Sequence, residues 1–111
     1  MCIVGYSQTV EIPGKNFEQA LIDLEIDSDG ELNGLLLKSD AVQVTSLDVS
    51  NEKIKDLTGI EAFTSLVYLD CSDNELSRLD VTQNIALINL FCSINDIAKG
   101  ENSIAYIDWF D

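Results

Sequence analysis

Asp27-Ser28-Asp29-Gly30 has the alternating carboxylates and the glycine found in the middle of a calcium-binding loop. If Glu25 takes the first position of such a loop, the twelfth, where a bidentate Glu belongs, is Leu36. The segment therefore reads first as an Asp-Gly turn, with Asp27 and Asp29 a weak calcium candidate. Other routes to catalysis are poorly supplied. The chain has no histidine, so the usual acid–base pairs and Ser/Cys–His arrangements are missing. Twenty acids in 111 residues place carboxylates near one another by chance. Gly14, Gly30, Gly34, Gly59 and Gly100 are isolated turn signals without phosphate-loop spacing. Cys2, Cys71 and Cys92 are odd in number and lack metal-ligand spacing. No enzyme and no cofactor is expected.

A second group of residues suits recognition better than turnover. Tyr68, Asp70, Asp73, Phe91, Ile94, Tyr106, Asp108 and Phe110 interleave large apolar side chains with carboxylates. Gathered on one surface they would make aromatic anchors within an acidic rim, as an interface for a basic partner requires.

What would gather them is a repeat. Val44-x-x-Leu47-x-Val49 runs on to Ile54; Leu66-x-x-Leu69-x-Cys71 to Asn74 and Leu76; Leu87-x-x-Leu90-x-Cys92 to Asn95 and Ile97. These segments fit L-x-x-L-x-L-x-x-N-x-L, the pattern of leucine-rich repeats, with Glu52 in place of the first Asn. Leu47/Val49, Leu69/Cys71 and Leu90/Cys92 alternate as strand residues do and point inward, with the two cysteines as small core fillers. Asn74 and Asn95 fall where the chain turns, and a buried amide there can satisfy backbone groups of two repeats. Ile54, Leu57, Ile60 and Phe63 form a helical or 3₁₀ apolar stripe in the return segment, partly echoed by Leu76, Leu79 and Val81.

Outward residues then stack into columns: Ser46, Tyr68, Asn89, Tyr106; Asp48, Asp70, Phe91, Asp108; Ser50, Ser72, Ser93, Phe110; Asn51, Asp73, Ile94, Asp111. The fold class expected is an α/β solenoid, a short leucine-rich repeat in one domain spanning residues 1–111. A helical N-terminal cap occupies 10–43, repeats occupy 44–97, and a closing strand with Trp109 buried occupies 98–111. In the cap, Phe17, Ala20, Leu21 and Leu24 form a helical stripe, with Asn16 and Gln19 in N-cap and N3 roles.

The run Val44–Leu66 (VTSLDVSNEKIKDLTGIEAFTSL) resembles bacterial surface leucine-rich-repeat proteins of the internalin type. So do Asn16–Asp23, Asp27–Gly30 and Tyr68–Asn74, and the resemblance covers roughly residues 10–97. It implies a helical cap like a truncated EF-hand, parallel strands, and protein–protein binding through the strand face.

Charge directs the functional expectation. A formal net charge of −14 repels nucleic acid and anionic membranes and speeds encounter with basic proteins. The leading expectation is a cytoplasmic, non-catalytic blocker of a basic nucleic-acid-handling protein, similar in a coarse sense to phage inhibitors of RNA-guided CRISPR nucleases. It predicts no direct nucleic-acid binding and no membrane insertion. The second is a secreted or surface adhesion module, if Ile3-Val4-Gly5-Tyr6-Ser7-Gln8 is the tail of an export signal beginning upstream. Homodimerisation through the aromatic face is a further expectation.

Overall fold

The computed structural model describes residues 8–95, in two parts. The N-terminal part holds β1 (Thr9–Glu11), α1 (Lys15–Asp23), β2 (Leu35–Leu37) and the short α2 (Lys38–Ala41). The second holds β3 (Ser46–Asp48), β4 (Tyr68–Asp70) and β5 (Asn89–Phe91), which form a parallel sheet in that order. Its register pairs Leu47 with Leu69 and Leu69 with Leu90, as the repeat spacing requires. The closing strand expected over 98–111, with Trp109, lies outside the described residues, as do Cys2, Ile97 and the segment Ile3–Ser7.

The inward positions are those the pattern marks. Leu47, Val49, Leu69, Cys71, Leu90 and Cys92 are all buried, as are Leu66 and Leu87 at the strand approaches. Ile54, Leu57, Ile60 and Phe63 line the opposite wall of the same core, and Leu76, Leu79 and Val81 extend it. Of that wall, Ile60–Ala62 is a 3₁₀ turn. Gly59 precedes it at φ 108°, and a Cβ there would run into Ile12 Cδ1 and the Glu11 carbonyl of the cap. The position thus needs glycine for both conformation and contact.

The cap packs on this stack through α1. Phe17, Ala20 and Leu21 are buried, and the Phe17 ring sits 6.3 Å from that of Phe63, joining the two parts. The fourth stripe residue, Leu24, is instead 46% exposed, because the helix ends at Asp23 and residue 24 turns away. The N-terminus also differs from expectation. Gly14 is the N-cap, without a side-chain cap bond. Asn16 donates its amide to the Lys53 carbonyl at 2.8 Å, and Gln19 donates to Asp23 at 2.9 Å. Asn16 therefore ties the helix to the first repeat and does not cap it.

Candidate functional site

The strand face is built by the alternation that builds the core. With Leu47, Leu69 and Leu90 inward, their neighbours must point to the other side of the sheet. Tyr68 and Asp70 flank buried Leu69 and are half-buried; Asn89 and Phe91 flank Leu90 in the same way. The register makes Asp48, Asp70 and Phe91 one lateral row and Ser46, Tyr68 and Asn89 another. Tyr68 and Phe91 meet diagonally, with ring centroids 5.5 Å apart and planes tilted by 48°. The columns read from the sequence thus form one surface as far as β5. Tyr106, Asp108 and Phe110, expected to continue it, lie outside the described residues.

Below this row the chain turns. Asn51, Asp73 and Ile94 share left-handed backbone, with φ of 57°, 60° and 57°. Asn and Asp tolerate that region, whereas a β-branched residue is strained there. Ile94 is nonetheless 71% exposed, beside the exposed Asp73. An aliphatic side chain set in a turn built for a small polar one adds exposed apolar surface below the strand row.

The asparagines hold these turns. Asn74 Oδ1 accepts the N–H groups of Glu52 (3.0 Å) and Ile54 (2.9 Å), and its Nδ2 donates to the carbonyls of Val49, Cys71 and Ser72. Asn95 repeats the motif one turn on, accepting from Leu76 N–H and donating to the Cys71, Cys92 and Ser93 carbonyls. Asn84, which pattern reading passed over, is also buried and donates to the carbonyls of Ile60 and Phe63. Its signal was positional: it lies three residues before Leu87, as Phe63 lies three before Leu66.

Cys71 and Cys92 occupy the inner wall behind the face, as free thiols. Burial pushes the Cys71 thiol up to about 12, with Cys92 and Asp70 adding to the shift, and burial also raises Cys92. Thiols held protonated in this way are poor nucleophiles and metal ligands.

The Asp27–Gly30 turn directs three of its four carboxylate oxygens to its own chain. Asp27 Oδ1 accepts from Asp29 N–H, Asp29 Oδ1 from Glu31 N–H, and Asp29 Oδ2 from the Asn33 amide. Among the described residues no group of three or more Cys, Asp or Glu side chains is arranged to hold a metal. Glu18, unremarked in the sequence, is 2% exposed and accepts the N–H groups of Asn33 (2.9 Å) and Gly34 (3.0 Å). It fixes the approach to β2 from inside the cap.

Asp27 is buried with Oδ2 unpartnered. Burial, a bond to Asp29 and the charges of Asp29 and Glu18 raise its carboxyl to about 6. A raised folded-state value makes a stability contribution that is present below the ordinary value of 3.8 and lost as pH climbs through about 6. Asp27→Asn keeps the Oδ1 acceptor and removes the charge. It should be more stable than the parent at pH 7.5, by on the order of 2 kcal/mol in urea denaturation, with the gap closing by pH 4. An equal difference at both pH values would show that Asp27 does not titrate in this range.

An open recess of about 550 Å3 lies between β1, Val42 and the 3₁₀ turn, lined by Thr9, Glu11, Lys38, Thr58, Glu61 and their neighbours. The chemistry available on the strand face is non-covalent: aromatic contact, carboxylate charge and hydroxyl hydrogen bonds.

Parallel strands in a 21- to 22-residue repeat, asparagines Asn74 and Asn95 at the second and third turns, and an open face define a leucine-rich-repeat solenoid. No family model matches the chain. At both sequence and structure level it is similar to bacterial leucine-rich-repeat proteins of the internalin type. It is 49% identical over 41 residues, 37% of its length, to internalin J of Listeria monocytogenes serotype 4b (strain F2365), covering 4% of that protein. The functional domain of InlJ from Listeria monocytogenes, which includes a cysteine ladder, superposes with a TM-score of 0.67 at 31% identity. That match covers 86% of this chain and 21% of the other. The internalin InlF of Listeria monocytogenes str. 4b F2365 shares the fold, with a TM-score of 0.70 and 22% identity, over 80% of this chain and 26% of that one. This chain therefore spans about a quarter or less of each. In this chain Cys71 and Cys92 directly follow β4 and β5 as buried free thiols.

Proposed function

We propose that the chain is a non-catalytic protein-interaction module whose strand face binds a basic protein. The observation that carries this reading is the half-buried Tyr68–Phe91 pair on the open side of the sheet, beside Asp48, Asp70 and Asp73. Aromatic side chains that the core does not need are typical binding anchors, and surrounding carboxylates select a positive partner. The finer reading is a blocker: with a net charge of −14, the chain would occupy a groove that otherwise holds nucleic acid. That role places it in the cytoplasm. A second reading, an adhesion module at the cell surface, is supported by the similarity to internalins.

A pull-down with the full chain separates them. Under the blocker reading, a basic nucleic-acid enzyme is captured at about 50 mM salt and lost by about 500 mM, because screening removes the attraction between exposed charges. Tyr68→Ala and Asp70→Asn should each weaken capture about tenfold or more. Recovery of an envelope component instead selects the adhesion reading. Capture unaffected by both substitutions would remove the strand face from either.

A further inference from the structure

We infer that the row Asp48–Asp70–Phe91, with Tyr68 beside it, is a receptor for arginine side chains in a basic protein segment. The inference rests on the strand face being the binding surface and names the chemistry it reads. Asp48 and Asp70 are register partners on neighbouring parallel strands, which lie about 4.8 Å apart. Like charges set directly opposite one another repel. Among the described residues the ion pair is Lys55–Glu75, which relieves neither carboxylate.

Both carboxylates are held in the same way. Asp48 Oδ1 accepts from the Ser50 N–H (3.0 Å) and hydroxyl (2.7 Å); Asp70 Oδ1 accepts from the Ser72 N–H (3.0 Å) and hydroxyl (2.6 Å). These bonds use Oδ1 and orient each group, and among the described residues no hydrogen bond is made to either Oδ2, which can meet a partner. In the third repeat the column changes from Asp to Phe91, which stands beside Asp70 and touches Tyr68.

Carboxylates at strand spacing beside an aromatic face suit a guanidinium more closely than an ammonium. The planar, five-donor group can bridge two carboxylate oxygens while its face, or the stem behind it, lies on a ring. A lysine would meet the charge and can sit over a ring, but it lacks the planar face and the fork of donors. A cation on an exposed ring gains about two- to fivefold in affinity, which sets the scale of the difference expected.

The test titrates the full ¹⁵N-labelled chain with hexa-arginine, hexa-lysine and hexa-citrulline peptides at about 150 mM salt, an ionic strength at which distant charges are screened. The expected result is about three- to fivefold tighter binding of arginine than of lysine, no binding of citrulline, and shifts centred on Asp48, Tyr68, Asp70 and Phe91. Phe91→Leu keeps apolar bulk but removes one ring face, so it should reduce the arginine preference to about twofold or less, with carboxylate bridging remaining, while lysine binding changes less than about twofold. Asp70→Asn should weaken both peptides. Equal affinity for arginine and lysine, or a preference that Phe91→Leu leaves unchanged, overturns the inference and reduces the face to a diffuse negative field. A basic protein that protects the strand-face amides while this peptide preference is absent overturns the inference and leaves the binding surface standing. A partner that protects a different face overturns both.

Discussion

Asn74→Ala is expected to lower the stability of the stack by about 3–4 kcal/mol, the largest effect of any polar substitution among the described residues. One side chain satisfies two backbone N–H groups and three carbonyls, and the contacts to Ile54, Val49 and Cys71 are buried. Removing one hydrogen bond between neutral groups costs about 1 kcal/mol, and each polar group left buried and unpaired costs about 1–3 kcal/mol. Water entering the vacated space recovers part of that sum. The partners belong to two successive turns, so the loss acts between repeats as well as within one. Asn95→Ala provides the internal comparison. Among the described residues Asn95 accepts one N–H group where Asn74 accepts two, and it is more open to solvent, so about half the loss is expected. Urea denaturation of both variants checks this. Equal losses, or a loss below about 1 kcal/mol for Asn74→Ala, would mean that leucine packing alone holds the repeats in register. Asn74→Asp should be nearly as damaging as alanine. A carboxylate accepts from Glu52 and Ile54 but cannot donate to the three carbonyls it would face.

The second large effect concerns the cap. Glu18→Ala leaves the Asn33 and Gly34 N–H groups without the carboxylate that now accepts both, at 2.9 and 3.0 Å. Hydrogen bonds to a charged group are worth about 1.5–3 kcal/mol each, so a loss of about 2–4 kcal/mol is expected. Gly34 also passes its carbonyl to Ile12 N–H and leads into β2, which pairs with β1 through Val10 and Leu36. The damage should therefore appear first as faster amide exchange at Asn33, Gly34 and Ile12, with the amides of β4 and β5 less affected. Glu18→Gln retains an acceptor oxygen and adds an unpartnered donor, so it should lie between the parent and alanine. If Glu18→Gln proves as stable as the parent, the charge on Glu18 contributes nothing and geometry alone matters.

These effects bear on the proposed function as well as on stability. The proposed binding surface exists only while its strands stay in register, and Asn74 sets that register beneath Asp70 and Asp73. Glu18 acts at the far end, holding the cap that covers the first repeat. Binding defects in Asn74 or Glu18 variants should therefore track unfolding, whereas those of Tyr68, Asp70 and Phe91 variants should appear in a fully folded chain.

The period in the sequence was enough to place the solenoid. Leucines at 47, 69 and 90 recur every 22 and 21 residues, and a side-chain period of two then sends Tyr68, Asp70 and Phe91 to the opposite side. The asparagine roles followed from the same logic, since a turn that buries backbone groups needs a side chain able both to donate and to accept. Local and repeated constraints of this kind are written into spacing. Pairings between distant segments are not. Asn16 has the type and position of an N-cap, yet its amide goes to Lys53, 37 residues away. Glu18 and Asp27 look like two of twenty surface acids, and burial beneath the Asn33–Gly34 approach and the cap turn gives them their roles. The 5.5 Å meeting of Tyr68 with Phe91, and the alignment of Asp48 with Asp70, required the strands to lie side by side. Spacing along the chain decides which way a side chain points. What it touches depends on which strand settles next to it, and that is a property of the packed structure.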